Sequence, residues 1–139
     1  MKNEMELKFS GISSNESFAR VCASAFASQL DPTLEQIADI KTAVSEAVTN
    51  AVVHAYRGQT GEVLLRCSIE DDVFHVEIED QGVGIENIEL AKMPFYTSAG
   101  TPERSGMGFT VMEAFMDSVE VFSCPGEGTR VCMDKRIRR

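Results

Sequence analysis

Val73-Phe74-His75-Val76-Glu77-Ile78-Glu79-Asp80-Gln81-Gly82-Val83-Gly84 is the stretch from which the architecture can be read. Phe74, Val76 and Ile78 alternate with His75, Glu77 and Glu79, which is the period of a strand with one face on a core and the other toward water. At Asp80 the alternation gives way to a D-x-G-x-G segment. Upstream, Glu62–Glu70 carries a second strand pattern, and the tight Asp71-Asp72 turn joins the two into a predicted hairpin. Arg57-Gly58-Gln59-Thr60-Gly61 reads as the turn leading into it.

Before this hairpin the period changes. Leu7 and Phe9 alternate with polar neighbours and predict a short strand near Glu4–Gly11. Ser13, Ser14 and Asn15 offer helix-capping chemistry, and Phe18, Val21, Cys22, Ala25, Phe26 and Leu30 recur at helical spacing. Asp31-Pro32-Thr33 ends that helix and starts another, with Thr33 and Gln36 spaced for a capping box. Ile37, Ile40, Val44, Ala47, Val48, Ala51, Val52 and Ala55 give a wide apolar face to a second helix predicted over Leu34–Tyr56.

After the hairpin, Gln81–Ser105 reads as a long loop with one helical turn near Asn87–Lys92, a length that points to function. Phe109–Met116 predicts a helix, and Ser118–Ser123 and Thr129–Met133 predict strands around the Cys124–Gly128 turn. The order β-α-α-β-β-loop-α-β-β predicts an α/β two-layer sandwich over residues 1–139 as a single domain. Its sheet is expected to be mixed but mostly antiparallel, with the helices on one face.

Twenty-two acidic residues against thirteen basic ones leave a net charge of −9, which disfavours nucleic acid and suits a basic protein partner. The basic run Lys135-Arg136-Ile137-Arg138-Arg139 reads as a solvated tail. Cys22, Cys67, Cys124 and Cys132 form no CxxC pair and match no histidine spacing, so buried thiols in a reducing compartment are expected rather than zinc ligands. No apolar run is long enough to span a bilayer and no signal-peptide core is present, so no membrane contact and a cytoplasmic location are expected.

Three segments carry chemistry. Glu46, Asn50 and His54 fall at i, i+4 and i+8 on the second helix, where a carboxylate and an amide oxygen one turn apart offer the hard donors that Mg²⁺ prefers. Asp80, at a strand end, can accept a hydrogen bond from an exocyclic amine, while Gly82 and Gly84 allow close backbone approach to a flat ring. Arg104-Ser105-Gly106-Met107-Gly108 leads into a helix, whose N-terminal N–H groups suit phosphate, with Arg104 adding a cationic fork. No Walker loop and no protein-kinase catalytic motif occurs.

In this order the segments resemble the GHKL (Bergerat) ATP-binding superfamily. The resemblance implies ATP or ADP as ligand. Asn50 becomes the Mg²⁺ ligand, Asp80 the reader of the adenine amine, and Gly106 and Gly108 the wrap of the triphosphate. His54, Gly82, Gly84, Thr97, Ser105, Met107, Phe109 and Thr129 complete the implied nucleotide set. More closely, Asn15–Arg20, Val44–Ala51 and Glu103–Thr110 resemble the anti-sigma F family of endospore-forming bacteria, over almost the whole chain. That resemblance implies a homodimer that holds a sporulation sigma factor through Glu16 and Arg20. It also implies phosphorylation of a serine on an anti-anti-sigma protein, with Glu46 as general base and Arg104 neutralising phosphoryl charge. A nucleotide-gated binding module without kinase activity, a simple ATPase and the related anti-sigma B type of switch kinase are the competing readings.

Overall fold

The computed structural model describes residues 2–55, 61–82 and 108–137, with His54 and Ala55 entering through their backbone only. Among the described residues, five strands form one sheet in the order β1-β2-β3-β5-β4. They are β1 (Asn3–Ser10), β2 (Glu62–Glu70), β3 (Val73–Asp80), β4 (Ser118–Cys124) and β5 (Gly128–Arg136). Each of its pairings is antiparallel. The helices among the described residues are α1 (Ser14–Ala27), α2 (Leu34–Thr49) and α3 (Gly108–Phe115). A 3₁₀ turn over Ser28–Leu30 ends the α1 segment, and a π-helical stretch over Asn50–Ala55 follows α2. This is the α/β two-layer sandwich expected from the sequence, except that among the described residues the sheet is wholly antiparallel rather than mixed.

The β2–β3 hairpin lies where the sequence predicts it, with Asp71 taking the positive φ of 56° at its turn. Along β3, Phe74, Val76, Ile78 and Asp80 are buried, and His75, Glu77 and Glu79 are only partly covered. The helices cover the first set of faces, so Val63, Leu65, Cys67, Val131 and Met133 join the core with Ile40, Ala43, Val44, Ala47 and Val48 of α2. On the open face, Arg66 pairs with Glu6 at 3.0 Å and Glu79 at 3.5 Å, and the Arg130 guanidinium lies 4.7 Å from the Phe122 ring centre.

The capping box forms as predicted: Gln36 N–H donates to Thr33 Oγ1 at 3.1 Å, and Thr33 N–H donates to Gln36 Oε1 at 2.8 Å. The other helix start differs, because Ser13 makes no side-chain cap; Asn15 Nδ2 instead donates to the Ser10 carbonyl at 2.9 Å.

The predicted apolar side of α1 is also corrected. Ala19, Ala23 and Ala27 form its buried stripe, while Phe18 and Val21 stand 52% and 55% exposed. Small side chains let α1 approach α2 closely; of the predicted apolar residues, Phe26 and Leu30 still pack against the core, while Phe18 and Val21 are left outside.

The basic C-terminal run is not a free tail as far as Ile137. Lys135 and Arg136 belong to β5; Lys135 Nζ donates to the Phe115 carbonyl at 2.7 Å and pairs with Asp39 at 3.3 Å. Arg136 pairs with Asp72 at 2.9 Å, and Ile137 is buried. All four cysteines are free, yet only Cys67 is buried, and Cys124 is exposed. Among the described residues, no helix is long and apolar enough to cross a membrane.

Candidate functional site

The site is assembled where α2 ends. Its last buried residues, Ala47 and Val48, fix the helix against the sheet, and Glu46 and Asn50 fall on the half-buried edge. From Asn50 the backbone widens to π-helical, so α-helical i, i+4 spacing is seen for Glu46 and Asn50, and the His54 side chain lies outside the described residues. Over Asn50–Ala55 the predicted α-helix gives way to this turn, which packs against β3 and β5, and the predicted end at Tyr56 lies outside the described residues. A π-helical turn changes the direction of successive side chains, and such turns recur at functional sites.

Gly108 begins α3 directly over the Glu46–Asn50 pair. A Cβ at this position would lie 3.2 Å from Asn50 Nδ2, 3.3 Å from Asn50 Oδ1 and 3.4 Å from Glu46 Oε2. The glycine therefore sets the spacing between the α3 N-terminus and two hard oxygen donors. An amide oxygen, a carboxylate and a helix N-terminus in contact provide for a small hard cation together with an anionic group. Phe109, next along, is buried in the core and anchors this turn rather than lining open space.

Asp80 is the second focus. It continues the inward parity of Phe74, Val76 and Ile78, and is 6% exposed. Its Oδ1 accepts from Gly82 N–H at 2.9 Å, and the Thr129 backbone N–H also serves it. Burial pushes its carboxyl up to about 6, with the Glu79 charge adding to the rise and the two backbone N–H groups opposing it. A buried carboxylate with a remaining acceptor capacity is suited to recognising an N–H₂ edge.

Thr129 lies opposite Asp80 in the β3–β5 register, and its Oγ1 is 2.8 Å from Ser123 Oγ. Gly128 was read from sequence only as part of a turn. Its φ is +92°, and a Cβ there would lie 2.9 Å from Gln81 Cα and closer still to the Asp80 carbonyl oxygen. The β4–β5 hairpin is thus pressed against the Asp80–Gln81 backbone. The signal available in sequence, a glycine in a turn, is shared by many turns without such a contact.

Gly84, Thr97, Arg104, Ser105, Gly106 and Met107 lie outside the described residues, as do the His54 side chain and the predicted helical turn near Asn87–Lys92. Glu16 and Arg20 sit together on α1, well apart in sequence from these groups. Arg20 Nε is 3.8 Å from Glu16 Oε2, a loose ion pair, while Arg20 also donates to Ser17 Oγ at 3.2 Å.

Residues 14–135 match the family model described as a histidine kinase-like ATPase domain. The chain is 57% identical to the anti-sigma F factor of Clostridium acetobutylicum, over 99% of its own length and 96% of that protein. It is 56% identical to the anti-sigma F factor of Caldanaerobacter subterraneus, again over 99% and 96%. Among solved structures it is similar in fold to the RsbU and RsbW domains of a Mycobacterium tuberculosis protein. That likeness has a TM-score of 0.70 at 17% identity and covers 99% of this chain and 32% of the other.

Proposed function

The chain belongs to the anti-sigma F factors and carries their histidine kinase-like ATPase domain, and we propose that it inhibits a sporulation sigma factor and uses Mg-ATP to phosphorylate a serine of an anti-anti-sigma protein. It would do so in the cytoplasm as a homodimer. The observation that carries the kinase reading is the convergence of Glu46, Asn50 and Gly108, next to a turn that reaches the strands bearing Asp80 and Thr129.

In this reading Asp80 accepts the adenine amine, with Gly82 and Thr129 N–H groups holding its carboxylate in place. Asn50 supplies the oxygen for Mg²⁺, which when bound would neutralise phosphate charge. Glu46 accepts the serine proton as the hydroxyl oxygen attacks the γ-phosphorus and the bond from that phosphorus to the β,γ-bridging oxygen breaks, releasing ADP. The amides at the α3 N-terminus face the phosphates, and Arg104 adds charge from the preceding segment. Glu16 and Arg20 provide the sigma-binding charge pair, and the exposed Phe18 and Val21 beside them supply the apolar part of such a surface.

Glu46→Ala tests the reading with radiolabelled ATP, the anti-anti-sigma protein and the sigma factor. Nucleotide binding is expected to persist within a few-fold, while phosphoryl transfer falls by roughly 10²–10⁴-fold, the range for loss of a general base. Unchanged transfer removes Glu46 from the chemistry. Absence of transfer by the unaltered protein, with sigma binding still dependent on nucleotide, replaces the kinase with a nucleotide-gated binding module. Phosphate release with no partner present would make it a simple ATPase.

A further inference from the structure

The open face of the sheet holds a second cluster, which the nucleotide reading does not use. In the antiparallel β3–β5 register His75 stands opposite Asp134, and Glu77 stands opposite Cys132. Strand parity puts all four side chains on this face, away from Asp80. One ligating atom from each of His75, Glu77 and Cys132 lies within 4.8 Å of the others. His75 Nδ1 is 2.5 Å from Asp134 Oδ1, and Ser118 Oγ donates to the other Asp134 oxygen at 3.0 Å. The imidazole is thereby turned so that its Nε2 faces Glu77 Oε2, at 3.1 Å.

We propose that His75 Nε2, the Glu77 carboxylate and Cys132 Sγ bind one zinc-class divalent ion, with water as fourth ligand and Asp134 orienting His75. A ligating histidine whose other nitrogen is held by a carboxylate is the usual outer arrangement of such sites. The mixture of nitrogen, oxygen and sulfur donors selects zinc over magnesium or calcium, which take oxygen sets. Metal–ligand bonds of 2.0–2.3 Å place tetrahedral ligands about 3.5 Å apart. Closing from the observed separation therefore needs about 1 Å of side-chain rotation, and all three groups are partly open to solvent. Arg130 Nη1, 3.8 Å from Glu77 Oε1, makes only a long contact that the ion would replace. On binding, the Cys132 thiol and the His75 Nε2–H that faces Glu77 each lose a proton to solvent, and the metal–sulfur and metal–nitrogen bonds form. The sequence spacing hides this site because its ligands are H-x-E on one strand and a lone cysteine 55 positions later, joined only by sheet register.

The test uses the full chain stripped with chelator, with no nucleotide or magnesium present. Zn²⁺ is titrated by calorimetry, and Co²⁺ is followed by absorption. One ion per chain and a thiolate-to-cobalt charge-transfer band are expected. Cys132→Ser should abolish the band, whereas Cys124→Ser, altering the exposed cysteine, should leave it intact. His75→Gln and Glu77→Gln should weaken binding, and Asp134→Asn should weaken it on the order of 10–100-fold. Circular dichroism of each variant shows whether it folds; should Cys132→Ser misfold, His75→Gln and Glu77→Gln decide the matter. No band in the unaltered protein overturns the proposal, as does a band surviving in folded Cys132→Ser. Unchanged affinity in both His75→Gln and Glu77→Gln does the same and leaves a plain hydrogen-bonded cluster.

Discussion

Asp80 ionises in a place that penalises ionisation. Burial raises its folded pKa to about 6 from 3.8, so the folded state holds the proton more tightly than the unfolded chain does. The sign follows: the charged carboxylate costs stability fully above pH 6, and the cost disappears as pH falls below about 4. A shift of this size corresponds to at most about 3 kcal/mol. Asp80→Asn removes the charge, and the amide oxygen can still accept from Gly82 and Thr129. The variant is therefore expected to melt no lower than the unaltered protein at pH 7.5, with the two curves converging near pH 4. Its nucleotide affinity is expected to drop on the order of 10–100-fold, because an amide N–H₂ facing the adenine amine leaves donors unpaired. Thermal melts from pH 4 to 7.5 and calorimetry with Mg-ATP check both arms; a loss of stability at pH 7.5 would make the carboxylate structural. Gly128 has the opposite character. Its φ of +92° and its contact with the Asp80–Gln81 backbone leave no room for a methyl group. Gly128→Ala should lower stability by about 2 kcal/mol or more, read in urea unfolding.

At the scale of elements, α1 and α2 use their apolar residues differently. The α2 stripe of Ile40, Ala43, Val44, Ala47 and Val48 is buried throughout, as its sequence period implies. In α1 the buried stripe is alanine, and the helix presents Phe18 and Val21 to solvent alongside Glu16 and Arg20. Phe26 packs against the core from the same helix, so α1 is held by the fold while Phe18 and Val21 are available to meet a partner. Phe18→Ser and Arg20→Glu should each change stability by less than about 0.5 kcal/mol, the usual range for surface sites. Each should weaken sigma-factor capture by at least about tenfold, consistent with loss of an interface anchor. Denaturant melts paired with binding isotherms check this. A large loss of stability with unaltered capture would assign these residues to packing.

At the scale of the molecule, the proposed nucleotide site draws on helices and strand ends from distant parts of the chain. α2, the start of α3 and the β3 and β5 ends contribute Glu46, Asn50, Gly108, Asp80 and Thr129. A nucleotide bridging them binds only the folded state and stabilises it by mass action. At about 100 times Kd the gain is about 2.7 kcal/mol. For a chain of 139 residues this is a rise in Tm on the order of 10 °C. Scanning calorimetry with Mg-ATP should show the rise. In Asn50→Ala the rise should shrink with magnesium present and match the unaltered protein with magnesium chelated. An equal rise in both proteins with magnesium would separate Asn50 from the metal.

Period and parity were written in the chain itself. The alternation in β3, the Thr33–Gln36 box and the α2 stripe follow from local steric rules, so the element order and two-layer class were legible before any coordinates. Asp80 stood out in the sequence through its D-x-G-x-G segment at a strand end, and the structure adds that it takes the next inward position after Ile78. Register, pitch and close approach were not, because they depend on what each segment packs against. Only packing shows that α2 widens at Asn50, that alanines rather than Phe18 and Val21 face the core, that Gly128 abuts Asp80, and that Lys135 and Arg136 complete a strand. Sheet register alone brings Cys132 beside Glu77, since residues far apart in sequence become neighbours only through the partner strand that hydrogen bonding selects.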